Sequence, residues 1–259
     1  MFLFHAKDGT RLHYDKKGRG QAIYFFHPPG IGAAVFRHQE PLADHLKLVA
    51  LNGRGHGASE VGFQPLTIEL LAEDTYTLTQ HENDDQVIVC GYSWGSLGAL
   101  AFALRYPERT KGVALIGGFP FVDTWVLEHL FHLGIWASDH HWQPLMSYAL
   151  SLSHTFNKTT RRRIAATINS VQAGVLKRWY EVGEKADYRD ELPRLMAPLL
   201  LIYGEHDPYA QGYQNTFYSR VKKAAVKSVY IEGVGHQVPT WRSEELNAVL
   251  ARFVKELND

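Results

Sequence analysis

Gly91-Tyr92-Ser93-Trp94-Gly95 pairs a hydroxyl nucleophile with glycine at both flanking positions. It lies between an apolar run, Val87-Ile88-Val89-Cys90, and a helix-like stretch from Leu97 to Arg105. That setting predicts a tight strand-to-helix turn that pushes the Ser93 hydroxyl outward, because glycine lets the backbone bend and lets neighbouring elements approach. The following helix turns its unpaired N–H groups back toward the serine, where negative charge develops during acyl transfer. The hydroxyl needs a base, and the side chain that titrates near neutrality is histidine. Of the 14 histidines, His236 has the right place, on the glycine-rich loop Glu232-Gly233-Val234-Gly235-His236-Gln237 after the last predicted strand. Asp207, shortly after the strand Leu199–Tyr203, is the expected group that fixes the imidazole tautomer and stabilises its charged form. Asp123 and Glu205 are the second and third choices for that carboxylate.

These groups need a scaffold that brings strand ends together. Leu12 and Tyr14 alternate with polar neighbours, and Asp8-Gly9 joins them to Phe2–His5 as a hairpin. Ala22–Phe26, Leu46–Leu51, Val87–Cys90, Val113–Ile116, Leu199–Tyr203 and Ser228–Ile231 read as further strands, mostly buried on both faces. Helical periodicity covers Phe36–His45, Thr67–His81, Leu97–Arg105, Gln211–Val221 and Ser243–Leu257. The alternation predicts an α/β fold: a mostly parallel, eight-stranded sheet with helices on both faces and functional groups at the strands' carboxyl ends. Residues 119–191 break the pattern and read as a helical cap, so the core is expected over 1–118 and 192–259.

Composition excludes some functions. Lys plus Arg equals Asp plus Glu at 27 each, which gives no reason to expect nucleic acid or an anionic membrane as a partner. No apolar run approaches the roughly 20 residues of a membrane span, and charge comes too early for a secretory signal. The single cysteine, Cys90, is expected as a buried filler. A cytoplasmic setting fits, with the chain as a monomer or homodimer. His129 and His132 share a helix face but lack spaced acidic or cysteine ligands, so no metal or cofactor is expected. Arg161-Arg162-Arg163 reads as a solvated helix face.

The order Ser93, Asp207, His236, each after a strand, resembles the α/β-hydrolase fold superfamily. Phe25-Phe26-His27-Pro28-Pro29-Gly30 resembles its strand and His-Gly loop. Leu51-Asn52-Gly53-Arg54-Gly55-His56-Gly57-Ala58-Ser59 resembles its D-x-R-G-x-G-x-S loop, with Asn52 for the usual aspartate. Ala197-Pro198-Leu199-Leu200 to Asp207 is similar to its P-x-L-x-x-x-G-x-x-D segment, and the cap lies where the family carries its lid. The resemblance implies a Ser93-His236-Asp207 triad and an oxyanion hole with one N–H from Trp94. The second donor position maps to Pro29, which has no N–H. Either the loop shifts register, with Gly30 as the favoured donor and Ile31 as the alternative, or the hole is weakened. The implied function is a cofactor-independent serine hydrolase acting on a small apolar or aromatic ester, lactone or thioester. Trp125, Phe121, Trp136 and Trp142 are the expected pocket walls. A carbon–carbon hydrolase on the same triad and a small-molecule receptor with little turnover are the alternatives.

Overall fold

The computed structural model describes residues 1–259. One eight-stranded sheet runs in the order β1-β2-β4-β3-β5-β6-β7-β8. Strands β1 (Phe2–His5) and β2 (Arg11–Lys17) form the hairpin around Asp8-Gly9, with Phe4 opposite Leu12. Strand β2 continues antiparallel onto β4 (Lys47–Leu51). All later pairings are parallel and join β3 (Ala22–Phe26), β5 (Val87–Tyr92), β6 (Thr110–Ile116), β7 (Leu199–Gly204) and β8 (Val226–Ile231).

Side-chain alternation divides the core into two layers. Tyr24, Phe26, Val87 and Val89 face one layer, covered by α1 (Ile68–His81) and α2 (Gly95–Arg105). Ile23, Phe25, Ile88 and Cys90 face the other, covered by Val35 and Phe36 and by Leu246, Leu250 and Phe253 of the C-terminal helix. Because both layers are apolar, the inner strands read as continuous hydrophobic runs.

Between β6 and β7 the chain makes four cap helices: α3 (Trp125–Asp139), α4 (Gln143–His154), α5 (Lys158–Ser170) and α6 (Ala173–Lys185). Thr124 caps α3 by accepting the Leu127 N–H, and Asn157 caps α5 by accepting from Thr159 and Thr160. The short α7 (Gln214–Arg220) and α8 (Val238–Trp241) and the long α9 (Ser243–Glu256) complete the chain.

Two expected helices differ. The Phe36–His45 segment is 3₁₀ helix over Ala33–Asp44, with Pro41 inside it. Proline removes an interior N–H and clashes with the preceding turn of a regular α-helix. The Gln211–Val221 segment begins as a 3₁₀ turn, Gln211–Tyr213, before α7. No helix is long and apolar enough to cross a membrane.

Candidate active site

Ser93 ends the turn between β5 and α2 with φ 54°, in the left-handed region that non-glycine residues rarely adopt. The turn tolerates no side chains at its flanking glycines. A Cβ on Gly91 would strike the Ser96 backbone, and one on Gly95 would strike the Phe26 carbonyl. The Ser93 N–H donates to the Ile116 carbonyl at 2.8 Å, which fixes the turn to β6.

Asp207 and His236 meet beside it. His236 Nδ1 lies 2.7 Å from Asp207 Oδ2, and both side chains are buried. Facing a carboxylate, Nδ1 is the proton-bearing nitrogen and Nε2 keeps its lone pair. The other carboxylate oxygen, Oδ1, accepts the N–H groups of Ala210 at 3.0 Å and Tyr209 at 3.2 Å. Burial pushes the Asp207 carboxyl up, but the hydrogen bond from His236 and those two N–H groups outweigh it, and the net displacement is downward. His236 Nε2 is buried with no protein partner. It lines the same cavity as Ser93, although no hydrogen bond joins them in the resting site. Gly117 makes room for the pair, since a Cβ there would lie 2.6 Å from His236 Cε1.

The alternative carboxylates stand elsewhere. Glu205 accepts the Gly233 N–H at the surface, and the Asp123 backbone is tied to Tyr213. No three His, Cys, Asp or Glu side chains gather as a metal site. His132 pairs with Glu184 at 2.8 Å, and His129 packs on Trp125.

The oxyanion expectation needs correction. The Gly30 N–H is already donated, at 2.8 Å, to His56 Nε2. Pro29 has none to give. The N–H groups of Trp94, at the start of α2, and of Ile31 have no partner within the protein, and both residues line the cavity.

That cavity measures about 260 Å³ and lies between the elbow and the cap. Its walls are Leu127, Leu130, Phe131 and Leu133 from α3 and Met146 and Leu150 from α4, with Tyr180 of α6. The four expected wall residues are not among them. Trp125, Trp136 and Trp142 are 70%, 44% and 49% exposed on the cap's outer surface. Phe121 is buried in the body, edge-on to Tyr213 and under the Arg189 guanidinium at 3.8 Å. Helical phase explains the error: Leu127, Phe131 and Gly134 follow an i, i+4, i+7 stripe facing inward, whereas Trp125 and Trp136 lie on the opposite face. The same stripe on α4, Met146, Leu150 and His154, carries an unforeseen polar group. His154 Nδ1 lies 2.7 Å from the Leu150 carbonyl, so Nε2 is the acceptor and receives the Tyr92 hydroxyl at 3.2 Å. Burial pushes the His154 imidazole down to about 4. This contact ties the cap to the residue preceding Ser93.

Residues 25–188 match the family described as alpha/beta hydrolase fold. The serine hydrolase BPHL of Homo sapiens is 24% identical over 260 residues, covering 96% of this chain and 85% of that protein. The 2-(acetamidomethylene)succinate hydrolase of Mesorhizobium japonicum is 29% identical over 123 residues, 46% of this chain and 43% of that relative, so the match spans less than half of its length. Among solved structures, a thermophilic esterase from Thermogutta terrifontis superposes with a TM-score of 0.82 at 20% identity, over 98% of this chain and 97% of that one. That last likeness is one of fold. The match to the family over most of the chain, together with the sheet order and elbow described above, establishes that this protein belongs to the α/β-hydrolase family.

Proposed function

We propose that the protein is a serine esterase that hydrolyses small, largely apolar esters, with lactones and thioesters as chemical equivalents. The observation that carries this reading is the strained Ser93 elbow opening on the same apolar cavity as the Asp207-oriented His236. In the mechanism, substrate entry brings Ser93 Oγ and His236 Nε2 to hydrogen-bond distance; such contacts are commonly long before substrate binds. His236 takes the serine proton as Oγ attacks the carbonyl carbon, and Asp207 stabilises the imidazolium. The N–H of Trp94 and one from the loop after β3 hold the oxyanion. His236 then gives its proton to the leaving alcohol. Water releases the acyl group by the same sequence. No Lys or Arg lines the cavity, and its walls are chiefly aliphatic, which favours an uncharged acyl group of modest size.

The test is turnover of p-nitrophenyl esters from acetate to octanoate, together with fluorophosphonate labelling. Wild type is expected to turn over the short and medium esters and to carry the label on Ser93. Ser93→Ala should fold normally, lose the label and lose at least about 10³-fold in kcat. An unlabelled wild type, or a Ser93→Ala variant with full activity, rejects the reading.

A further inference from the structure

We infer that His56 is a positioning residue for the reaction: its buried ring takes up the Gly30 N–H and so leaves the Ile31 N–H facing the cavity as the second oxyanion donor. The inference rests on the serine-esterase reading above and adds to it a residue from outside the cavity.

The loops after β3 and β4 exchange backbone hydrogen bonds through two histidines. His56 Nδ1 lies 3.2 Å from the Arg54 carbonyl oxygen, which can only accept, so Nδ1 carries the proton. Nε2 is then an acceptor, and the Gly30 N–H reaches it at 2.8 Å. His27 repeats the pattern in reverse. Its Nδ1 donates to the Pro28 carbonyl at 2.9 Å, and its Nε2 accepts the Gly53 N–H at 3.0 Å. Each loop therefore gives one backbone N–H to a histidine of the other, and the two rings pack edge to face with centroids 4.7 Å apart. Burial pushes His27 down to about 4 and His56, with His27 beside it, down to about 3. Both rings are neutral at physiological pH, as acceptors must be.

A second fastening lies on the far side of Ile31. The Ala33 N–H donates to Asn52 Oδ1 at 3.0 Å. Ile31 is thus held between two anchored neighbours, Gly30 on His56 and Ala33 on Asn52, both supplied by the loop after β4. Gly30 and Gly32 have φ of 79° and 71°, which lets the chain turn between the anchors. The loop after β4 is itself rigid. The Arg54 guanidinium bonds Asp74 at 2.8 and 2.9 Å and Asp8 at 2.8 Å, and the Arg54 carbonyl receives the Trp179 indole N–H at 3.0 Å. A preorganised donor acts more strongly on a developing charge than one that must reorient, and displacement of reacting groups by about 1 Å can cost about 10²-fold in rate.

The test pairs His56→Leu, which removes the acceptor and keeps bulk, with His56→Gln, whose amide oxygen can accept the Gly30 N–H. With p-nitrophenyl butyrate, His56→Leu is expected to lower kcat about 10- to 100-fold with KM within about threefold. It should weaken an alkyl boronic acid, a mimic of the tetrahedral adduct, by the same factor as kcat/KM. His56→Gln should recover most of both losses. An independent readout uses ¹⁵N NMR of wild type. A coupling across the hydrogen bond is expected between the Gly30 nitrogen and His56 Nε2, and the Ile31 amide proton should move downfield when the boronic acid binds. A folded His56→Leu variant with kcat within about threefold of wild type overturns the inference, as does an Ile31 amide that the boronic acid leaves unmoved. If His56→Leu fails to fold, the wild-type spectra decide alone. Failure of the serine-esterase reading looks different: wild type forms no boronate adduct on Ser93 and shows no turnover, even with the Gly30–His56 coupling present, and the inference falls with it.

Discussion

Asp207 receives three hydrogen bonds on two oxygens, and each constrains what the imidazole beside it can do. With Nδ1 tied to the carboxylate, His236 presents a lone pair at Nε2, the form a general base requires. An asparagine at this position keeps the shape but can donate to Nδ1, which places the ring proton on the wrong nitrogen. Asp207→Asn is therefore expected to lower kcat by about 10⁴-fold with little change in KM, measured on the best p-nitrophenyl ester. Ser93, His236 and Asp207 were legible as candidates in the sequence because each follows a strand in an alternating chain, and parallel sheets gather such residues on one edge. The second oxyanion donor was legible only as a choice between Gly30 and Ile31. Glycine at position 30 announces a flexible backbone, and nothing in the sequence shows that its N–H is spent on His56.

Elements differ in how openly they declare themselves. The inner strands do so through unbroken apolar runs, β1 and β2 through alternation around a turn, and α1, α2 and α9 through their periodicity. The cap is harder, because its first two helices, α3 and α4, have apolar residues on both faces. Aromatic size points to Trp125, Trp136 and Trp142, which face outward, whereas helical phase along α3 and α4 points to Phe131, Leu150 and His154, which line the cavity. The loop after β4 depends on one buried cation. Arg54 is almost wholly enclosed, with carboxylates from α1 and the β1–β2 turn around it. Replacing it with leucine strands Asp74, which is 2% exposed, in an apolar setting. Arg54→Leu is expected to destabilise the fold by about 3–5 kcal/mol, read as a lower urea midpoint at unchanged slope.

At the scale of the whole molecule, the buried imidazoles make stability depend on pH. His27 and His154 are pushed down to about 4 and His56 to about 3, from an ordinary value of 6.5. Each stays neutral in the fold but takes up a proton on unfolding below about pH 6.5. Their contribution is complete above that value and is lost as pH falls toward 4, by up to about 1.4 kcal/mol per pH unit for each ring. Asp207, held below its ordinary value, adds a loss of the same sign at lower pH. Urea midpoints at pH 7, 6 and 5 should fall in that order; equal midpoints would contradict the neutral state of the three buried rings.

Cys90 sits inside β5, level with Phe25 of β3 and Ala114 of β6, fully enclosed, its thiol pushed up by burial. As the chain's sole sulfhydryl, it turns the centre of the sheet into a silent alarm. Alkylating reagents meet nothing to modify until β5 parts from a neighbour, so the rate of iodoacetamide uptake reports how much of the protein has opened there, without a fluorophore or an engineered tag.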